Sequence, residues 1–191
     1  MVGWLTGEDK VREFEQVALV HLDALFRSAL RLTQNRAEAE DIVQDTWLRA
    51  FRSFHQFDPG TNCRAWLFTI LRNAFLTRRR RASHEMVGDS TTPEGASESM
   101  TDTDAPIRHP EDVFVRSVVH GDVDRALKAL SLAHREVVIL ADLEGLSYKE
   151  IAQVVDCPMG TVMSRLSRGR AQLRQRLGRL AREHGYAKES E

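Results

Sequence analysis

The sequence predicts an all-α protein of two small helical domains joined by a flexible acidic linker. Apolar residues recur at three- and four-residue steps over long stretches near both ends of the chain. No stretch alternates apolar and polar residues for long, so no sheet is expected. Between the two periodic regions, residues 84–112 are rich in Ser, Thr, Asp, Glu and Pro and nearly lack large apolar side chains. Such a segment cannot bury enough surface to offset its chain entropy. We therefore expect domains at residues 1–83 and 113–184, a linker at 84–112 and a tail at 185–191.

The charges are segregated along the chain. The formal net charge of the 191 residues is −1, which taken alone argues against a nucleic-acid-binding protein. However, residues 84–112 carry eight acidic residues and one basic residue, whereas each flanking region carries 13 basic and 10 acidic residues. Local fields rather than the total charge decide which partners a surface attracts. The two flanking regions are therefore mildly basic modules.

Several classes of function find no support in the sequence. No apolar run approaches the ~18 residues of a membrane span, and the N-terminus lacks a signal-peptide core, so we expect a soluble, cytoplasmic protein without membrane insertion. There is no Gly-rich phosphate loop, no HExxH or GxSxG motif and no carboxylate pair in an apolar setting. We therefore expect no catalytic residues, no enzyme activity and no cofactor.

The two cysteines do not indicate a disulfide or a metal site. Cys63 and Cys157 lie in different predicted domains, without a CxxC spacing or a nearby pair of histidines. We interpret both as small, partly buried residues in preference to a thiol switch.

The first predicted domain begins with two helices. The apolar pattern predicts one long helix from Glu8 to Thr33, and then a helix from Ala37 to Phe54 with Asn35 as its cap. The second helix has a polar face with one exposed leucine. That face is compatible with plain solvated surface and equally with a docking site for a basic partner helix. Its residues are Asp41, Gln44, Asp45 and Leu48.

A turn and a third helix complete this domain. Residues 57–62 contain Pro and then Gly and end at Asn62, a suitable cap for a helix from Arg64 to about Arg81. Arginines and aromatic residues alternate on one face of that helix, and such a face can neutralise phosphates and stack on unpaired bases. An amphipathic core helix with a basic end would explain the aromatic residues but not the basic run at 78–81. We favour nucleic-acid binding.

The second predicted domain ends in a pair of helices. They are preceded by a helical stretch at 113–129, with Gly121 as a candidate break, and by a helix at 133–143 that ends in the C-cap glycine Gly145. Within residues 146–177, a short helix begins with a capping box formed by Ser147 and Glu150. A break follows at residues 156–158, where Pro158 suits the first turn of the next helix. That next helix is basic and amphipathic. This is the sequence form of a helix-turn-helix.

The second helix of this pair carries the candidate DNA-reading residues. Gly169 lies in its apolar arc, so another helix is expected to approach closely there. A solvated basic face on a two-helix hairpin is the competing interpretation, but it does not explain why small hydroxyls and arginines lie together near the helix start. We favour binding to duplex DNA. The polar face gathers Thr161, Ser164, Arg165 and Arg168.

Taken together, the motifs resemble those of a bacterial extracytoplasmic-function (ECF) sigma factor, of the two-domain type that retains only regions 2 and 4 of the sigma-70 family. The resemblance covers nearly the whole chain except the linker and the ends. It departs at Met163, where family members often have Lys or Arg, and at Ser167, where bulkier residues also occur. The matching motifs are AEDIVQD at 39–45, FHQF at 54–57, AWLFTILRN at 65–73, LSYKEIA at 146–152 and GTV at 160–162.

The resemblance implies partners and site residues. The implied partners are core RNA polymerase, through the β′ clamp and the β subunit, promoter DNA, and an anti-sigma factor. Core polymerase would bind the face formed by Asp41, Gln44, Asp45 and Leu48. The −10 element would be read by Phe57, Asp58, Asn62, Trp66, Arg72, Asn73, Arg79 and Arg80. The −35 element would be read by Thr161, Ser164, Arg165, Ser167 and Arg168. No metal ligand is implied.

Two other classes of function remain as alternatives. A stand-alone helix-turn-helix regulator would bind duplex DNA tightly without polymerase, at palindromic sites. A structural adaptor would have no salt-dependent affinity for DNA. Neither alternative requires the aromatic–arginine helix that follows Asn62.

Overall fold

The computed structural model describes residues 7–85 and 121–183, which are called here the first half and the second half. All regular structure in these residues is helical, which confirms the all-α class. The predicted linker from residue 86 onward, the predicted helical residues 113–120 and the predicted tail lie outside the described residues.

The first half contains α1 (Gly7–Ala18), α2 (Leu22–Thr33), α3 (Arg36–Ser53) and α4 (Cys63–Glu85). The second half contains α5 (121–128), α6 (Leu132–Val138), α7 (Tyr148–Val154) and α8 (Met159–Glu183).

The predicted single helix from Glu8 to Thr33 is wrong in one respect. A 3-10 turn at Leu19–His21 divides it into α1 and α2. Successive side chains in a 3-10 turn are rotated by about 120° around the helix axis, instead of about 100° as in an α-helix. Over three residues this difference moves the apolar stripe too little to be recognised in the sequence pattern. Despite this division, α1 packs into the core through Phe14. The buried Phe14 ring lies edge-on against Trp47 of α3, with 4.9 Å between the ring centroids.

The start of α3 follows the prediction. Asn35 has an extended backbone, and its side-chain oxygen accepts a hydrogen bond from the backbone N–H of Glu38 at 3.1 Å. This bond satisfies one of the amide groups that a helix start leaves without a partner. The helix runs from Arg36 to Ser53, and a 3-10 turn at Phe54–Gln56 follows it.

Asn62 likewise caps α4. Its side-chain oxygen accepts hydrogen bonds from the backbone N–H groups of Arg64 at 3.0 Å and Ala65 at 3.4 Å. The helix extends to Glu85, four residues past its predicted end, and so continues into the first two residues of the predicted linker. Leu67, Leu71 and Phe68 are buried along it.

The second half also follows its predicted landmarks. Gly145 has a φ of +68°, a conformation that favours glycine, directly after the helical stretch formed by α6 and a π-helical turn at Ile139–Leu143. The capping box of Ser147 and Glu150 starts α7, and the break before α8 contains Asp156 with a φ of +48°. A Cβ atom placed on Gly169 would lie 2.9 Å from Cγ2 of Val138, so α8 and α6 do approach closely there.

The two halves share one apolar core. Buried residues of α1–α4 and of α5–α8 form a single contiguous cluster, and the halves meet where α4 contacts α7 and α2 contacts α6. The sequence contained no signal for this contact between the halves. It determines which candidate site residues remain accessible.

Candidate nucleic-acid and polymerase interfaces

The candidate polymerase-binding residues lie on one side of α3. Asp41, Gln44 and Leu48 are exposed, and Asp45 is half-exposed. Asp45 forms an ion pair with Arg49 at 2.8 Å one turn later, and Asp41 pairs with Arg78 of α4 at 2.7 Å. Leu48 lies about one turn beyond Asp45 and has 49% of its surface exposed. The structure therefore places the four predicted residues on one side of α3, with both carboxylates paired to arginines and one exposed leucine beside them.

The turn before α4 is held by its own side chains. The Asp58 carboxylate accepts a hydrogen bond from the backbone N–H of Gly60 at 2.9 Å, and the Thr61 hydroxyl donates to the Asp58 carbonyl at 2.7 Å. Phe57 is half-buried and lies 5.1 Å from the ring of Trp66, and both rings contact Phe54. The two predicted aromatic site residues therefore anchor the turn to the core and expose only part of their surface.

Apart from Asp58 in the turn, the polar residues predicted to read the −10 element divide into two groups. Asn73, Arg79 and Arg80 are exposed along the outer part of α4. Arg72 and Asn62 instead point toward the second half. Arg72 Nε lies 3.3 Å from Glu136 Oε1, and the Asn62 amide donates to Glu150 Oε1 at 2.7 Å.

The predicted −35 residues lie near the start of α8. Ser164, Ser167 and Arg168 are exposed, and Thr161 is half-exposed. The Ser164 hydroxyl donates to the Thr161 carbonyl at 2.9 Å, which fixes its orientation within the helix. Arg165 is partly buried, with Nη1 3.9 Å from Cys157 Sγ. Four of the five predicted residues therefore present polar groups at the surface, and Arg165 also contacts the turn.

Two exposed methionines lie beside this polar face. Met159 and Met163 are 53% and 50% exposed at a spacing of one helical turn. Large apolar side chains at such exposure in the first turns of a basic helix add an apolar strip to the candidate DNA face. Met163 is the position that departs from the family pattern, whereas no sequence motif pointed to Met159.

The residues that sequence reasoning missed are those between the halves. Glu144 accepts a hydrogen bond from Ser28 and forms an ion pair with Arg64. On the α2 side, Arg31 pairs with Asp124 at 3.0 Å, and Arg135 donates to the Arg31 and Leu32 carbonyls at the end of α2. These partners are 80 to 116 residues apart in most cases, so no local pattern could reveal them.

Two carboxylates in this region have shifted pKa values, in opposite directions and for different physical reasons. Desolvation raises the pKa of Glu136, and Arg72 opposes part of that rise. The pKa of Glu150 is lowered, chiefly because the Ser147 hydroxyl donates a hydrogen bond to it and further through its contacts with the Ser147 backbone and Asn62. Glu150 is thus held in its charged form, whereas burial disfavours the charge on Glu136.

The described residues contain neither a metal-binding cluster nor a membrane-spanning helix. Within residues 7–85 and 121–183, no group of three or more His, Cys, Asp or Glu side chains could hold a metal ion. In the same ranges, no helix is long and apolar enough to cross a bilayer.

Comparisons with known proteins match both halves of the chain. The family model Sigma-70 region 2 matches residues 19–85, and the model Sigma-70, region 4 matches residues 120–173. The first match covers α2–α4, including the polar face of α3 and the aromatic–arginine helix, and the second covers the helix-turn-helix.

Curated relatives agree with these matches. The chain is 36% identical to the ECF RNA polymerase sigma factor SigE of Mycolicibacterium smegmatis over 89% of this chain, but it spans only 63% of the length of SigE. It is 33% identical to the ECF RNA polymerase sigma factor EcfG of Rhodopseudomonas palustris, over 81% of this chain and 80% of EcfG.

Two solved structures have a similar fold. The sigma factor RpoE of Bartonella quintana, in complex with the anti-sigma factor NepR, has a TM-score of 0.74 at 32% identity, over 87% of this chain and 98% of RpoE. CnrH, in complex with the cytosolic domain of CnrY, has a TM-score of 0.59 at 27% identity, over 88% of this chain and 89% of CnrH. Each of these alignments covers most of the chain and therefore includes parts of both halves. The chain belongs to the family of ECF RNA polymerase sigma factors.

Proposed function

We propose that this protein binds core RNA polymerase and directs it to specific promoters, where α8 reads the −35 element as duplex DNA and the α4 region reads the −10 element. The function is recognition, and the chain itself carries out no catalytic step. The observation that carries the proposal is that one chain combines the two sigma-70 regions in order and exposes a candidate surface on each.

The two candidate surfaces have the chemistry that these tasks need. The exposed hydroxyls and the arginine of the first turns of α8 can reach base edges and phosphates in a major groove. The exposed arginines at the end of α4 can neutralise phosphates beside a melted segment. The polar surface of α3, with its two carboxylates and the exposed Leu48, suits a basic helical partner such as the coiled coil of the β′ clamp.

Run-off transcription with reconstituted core polymerase tests the proposal. The chain should produce defined transcripts from a subset of promoters, and start-site mapping of those transcripts should yield common −35 and −10 sequences. If core polymerase neither binds the chain in a pull-down nor gains promoter specificity from it, the proposed function is wrong.

Variants of α3 sharpen this test. Asp45→Ala and Gln44→Ala should weaken binding to core polymerase, whereas the isolated chain should retain its affinity for DNA. Glu40→Ala is the matched control, because Glu40 lies on the same helix but pairs with Arg36 outside the candidate surface. An equal loss of polymerase binding in the control would place the docking site elsewhere.

One further partner and a location follow from the proposal. An anti-sigma protein that covers the polymerase-binding surface is expected, in keeping with the complexes in which RpoE and CnrH were solved. The chain would act in the cytoplasm, where polymerase and chromosome are found. A stand-alone helix-turn-helix regulator is the alternative, and tight, polymerase-independent binding to palindromic duplexes would favour it.

A further inference from the structure

Two methionines form an exposed apolar strip at the start of α8. Met159 and Met163 are one helical turn apart, so they lie on the same side of the helix, and 53% and 50% of their surfaces are exposed. The neighbouring Val162 and Leu166 are buried. Met163 therefore lies where the buried side of α8 gives way to the candidate −35 surface. Met159 and Met163 are called here the methionine strip.

The polar residues that directly follow Met163 have little capacity to donate hydrogen bonds to a base. The Ser164 hydroxyl donates to the Thr161 carbonyl at 2.9 Å, so only its oxygen lone pairs remain, as acceptors. Arg165 is partly buried, and its Nη1 lies 3.9 Å from Cys157 Sγ in the turn. Recognition of a base beside Met163 must therefore depend largely on acceptor groups and on apolar contact.

The helix surface next to Met163 is open. Gly160 lies three residues earlier and is exposed, and a Cβ atom placed on it would meet no atom within 4 Å. Residues three apart in an α-helix are neighbours on its surface. Because Gly160 has no side chain, nothing at that position stands between Met163 and a molecule that approaches the start of the helix. A base edge can therefore reach Met163 from this side.

The charge of α8 favours DNA as the partner of the methionine strip. Between Arg165 and Arg182, the helix carries seven arginines and no Asp or Glu. A partner that covers the strip must also accept this positive charge, and the phosphates that border a major groove do so. Within that groove, the 5-methyl group of thymine is the apolar group that the base edges present. The strip and the arginines together therefore fit a duplex with a thymine facing Met163.

We propose that Met163 selects a thymine in the −35 element by packing its side chain against the 5-methyl group in the major groove, and that Met159 extends this apolar contact along the groove. The proposal rests on the assignment of α8 to the −35 element under the proposed function, and it adds the type of base. Lys or Arg at this position would instead donate hydrogen bonds to guanine or contact a phosphate. Methionine has no group that can donate in this way, so a T·A pair is expected where Met163 meets the duplex.

The test removes the thymine methyl group and nothing else. Duplexes with a random central segment are synthesised enzymatically with either thymidine or deoxyuridine triphosphate, so that the two pools differ only in the 5-methyl group. From the thymine pool, the full chain, used both alone and with core polymerase, should enrich a −35 sequence with a thymine at one fixed position. In the uracil pool, the preference at that position should be lost.

Single substitutions then connect the methyl group to Met163. Replacing that one thymine by uracil in the enriched duplex should weaken binding by the wild type about 4-fold, the effect of losing one buried methyl group. Met163→Ala should bind the two duplexes equally, and Met163→Lys should no longer prefer thymine. Met163→Leu should keep most of the difference, because it keeps a large apolar side chain. Gln172→Ala is the control, since Gln172 is exposed on α8 more than two turns further along, and this variant should show the full wild-type difference.

Three results would overturn the inference. The first is equal affinity of the wild type for the thymine and uracil duplexes. The second is a difference between the duplexes that persists in Met163→Ala, because the methyl group would then act through the shape of the DNA. The third is a Met163→Ala variant that loses affinity for core polymerase but keeps its sensitivity to the methyl group, which would assign the methionine strip to a protein partner.

The same measurements separate this inference from the proposed function. Promoter-specific transcription from −35 elements whose affinity does not depend on a thymine methyl group would reject the inference alone. Methyl-dependent enrichment of duplexes by the chain without any transcript would reject the proposed function alone. A chain that enriches no sequence, either by itself or with polymerase, would contradict both.

Discussion

The hydroxyl of Ser28 in α2 donates a hydrogen bond to Glu144 at 2.7 Å, although 116 positions separate the two residues and both are buried. This bond joins the two halves of the described chain at a point where water has little access. A carboxylate that loses such a donor retains its desolvation cost without compensation.

Ser28→Ala should therefore destabilise the docked arrangement by about 1–3 kcal/mol, the usual cost of leaving a buried polar group without its partner. Hydrogen exchange should become faster in α7 and in the first turns of α4, which contact each other across the interface. Ser53→Ala is the control, because the Ser53 hydroxyl bonds only within α3, to the Arg49 carbonyl at 2.7 Å. Equal protection of α7 in the wild type and in Ser28→Ala would show that this bond does not hold the halves together.

Gly169 marks the close approach of α8 to α6. Alanine is favoured over glycine in a helix interior by about 1 kcal/mol, but a Cβ atom at this position would lie 2.9 Å from Cγ2 of Val138, whose branched side chain is stiff. Overpacking of this kind typically costs about 1–3 kcal/mol. We expect Gly169→Ala to lower the free energy of unfolding in urea by up to about 2 kcal/mol, after the gain in helix propensity is subtracted.

Gly178→Ala in the same helix provides the matched comparison for this prediction. There the nearest atom to an added Cβ, Nη1 of Arg182, is 3.9 Å away, so the variant should gain stability by up to about 1 kcal/mol. Similar changes in both variants would mean that propensity alone governs both positions.

The capping box predicts a pH-dependent effect of Ser147. Hydrogen bonding to the Ser147 hydroxyl lowers the pKa of Glu150 below its ordinary value of 4.5. A carboxylate with a lowered pKa in the folded state contributes stability that is present above pH 4.5 and is lost as the pH falls through its folded pKa. At pH 7, Ser147→Ala should lower the free energy of unfolding by about 1 kcal/mol, as expected for the loss of an N-cap.

The difference between Ser147→Ala and the wild type should shrink when urea unfolding is repeated at a pH below that folded pKa, because Glu150 is then protonated in both proteins. Ser164→Ala serves as control, since its hydroxyl bonds to a carbonyl in the body of α8 and caps no helix. A constant difference at all pH values would show that the charge on Glu150 plays no part.

Cys63 should be unreactive in the folded protein. Burial raises the pKa of its thiol to about 11, and only 9% of the residue is exposed. Since the thiolate is the reactive species, roughly one molecule in a thousand would carry it at pH 8. In a Cys157→Ser variant, iodoacetamide should label Cys63 at least about 100-fold more slowly in buffer than in 8 M urea. Rapid labelling of the folded protein would reopen the possibility of a thiol switch.

The outcomes above show what local sequence patterns can and cannot predict. The caps at Asn35, Asn62 and Ser147 and the close approach at Gly169 were predictable, because each depends on a few neighbouring residues or on one helical face. The 3-10 turn at Leu19–His21 was missed because it leaves the apolar period almost unchanged. The contacts of Glu136, Glu144 and Glu150 were missed for a different reason.

Those contacts depend on how the two halves dock. A glutamate in a sequence is most simply interpreted as a solvated residue, whereas Glu136 and Glu144 are buried in the structure and contact residues of the first half. For the same reason, no feature of the sequence separates Arg72 and Asn62 from the other polar residues predicted to read the −10 element. In the structure, Arg72 and Asn62 contact the second half, whereas Asn73 and Arg80 remain exposed. Residue roles that arise from contacts between distant segments therefore require the structure.

Arg168 offers the most direct test of −35 reading. Its side chain is exposed near the start of α8, beside Ser164 and Ser167, where a helix docked in a major groove would meet base edges. If it contacts a base, Arg168→Ala should cost about 1–3 kcal/mol in binding a duplex that carries the mapped −35 sequence, and discrimination at one base pair should relax.

The control for this prediction is Arg174→Ala, which removes the same charge about two turns further along α8. Affinity is measured over a range of salt concentrations on duplexes with and without the −35 sequence. A base contact lowers only the specific affinity, whereas a phosphate contact lowers both affinities equally and reduces the salt slope by about 1. Equal loss on all duplexes would assign Arg168 to the phosphate backbone and leave base readout to its neighbours on the same face.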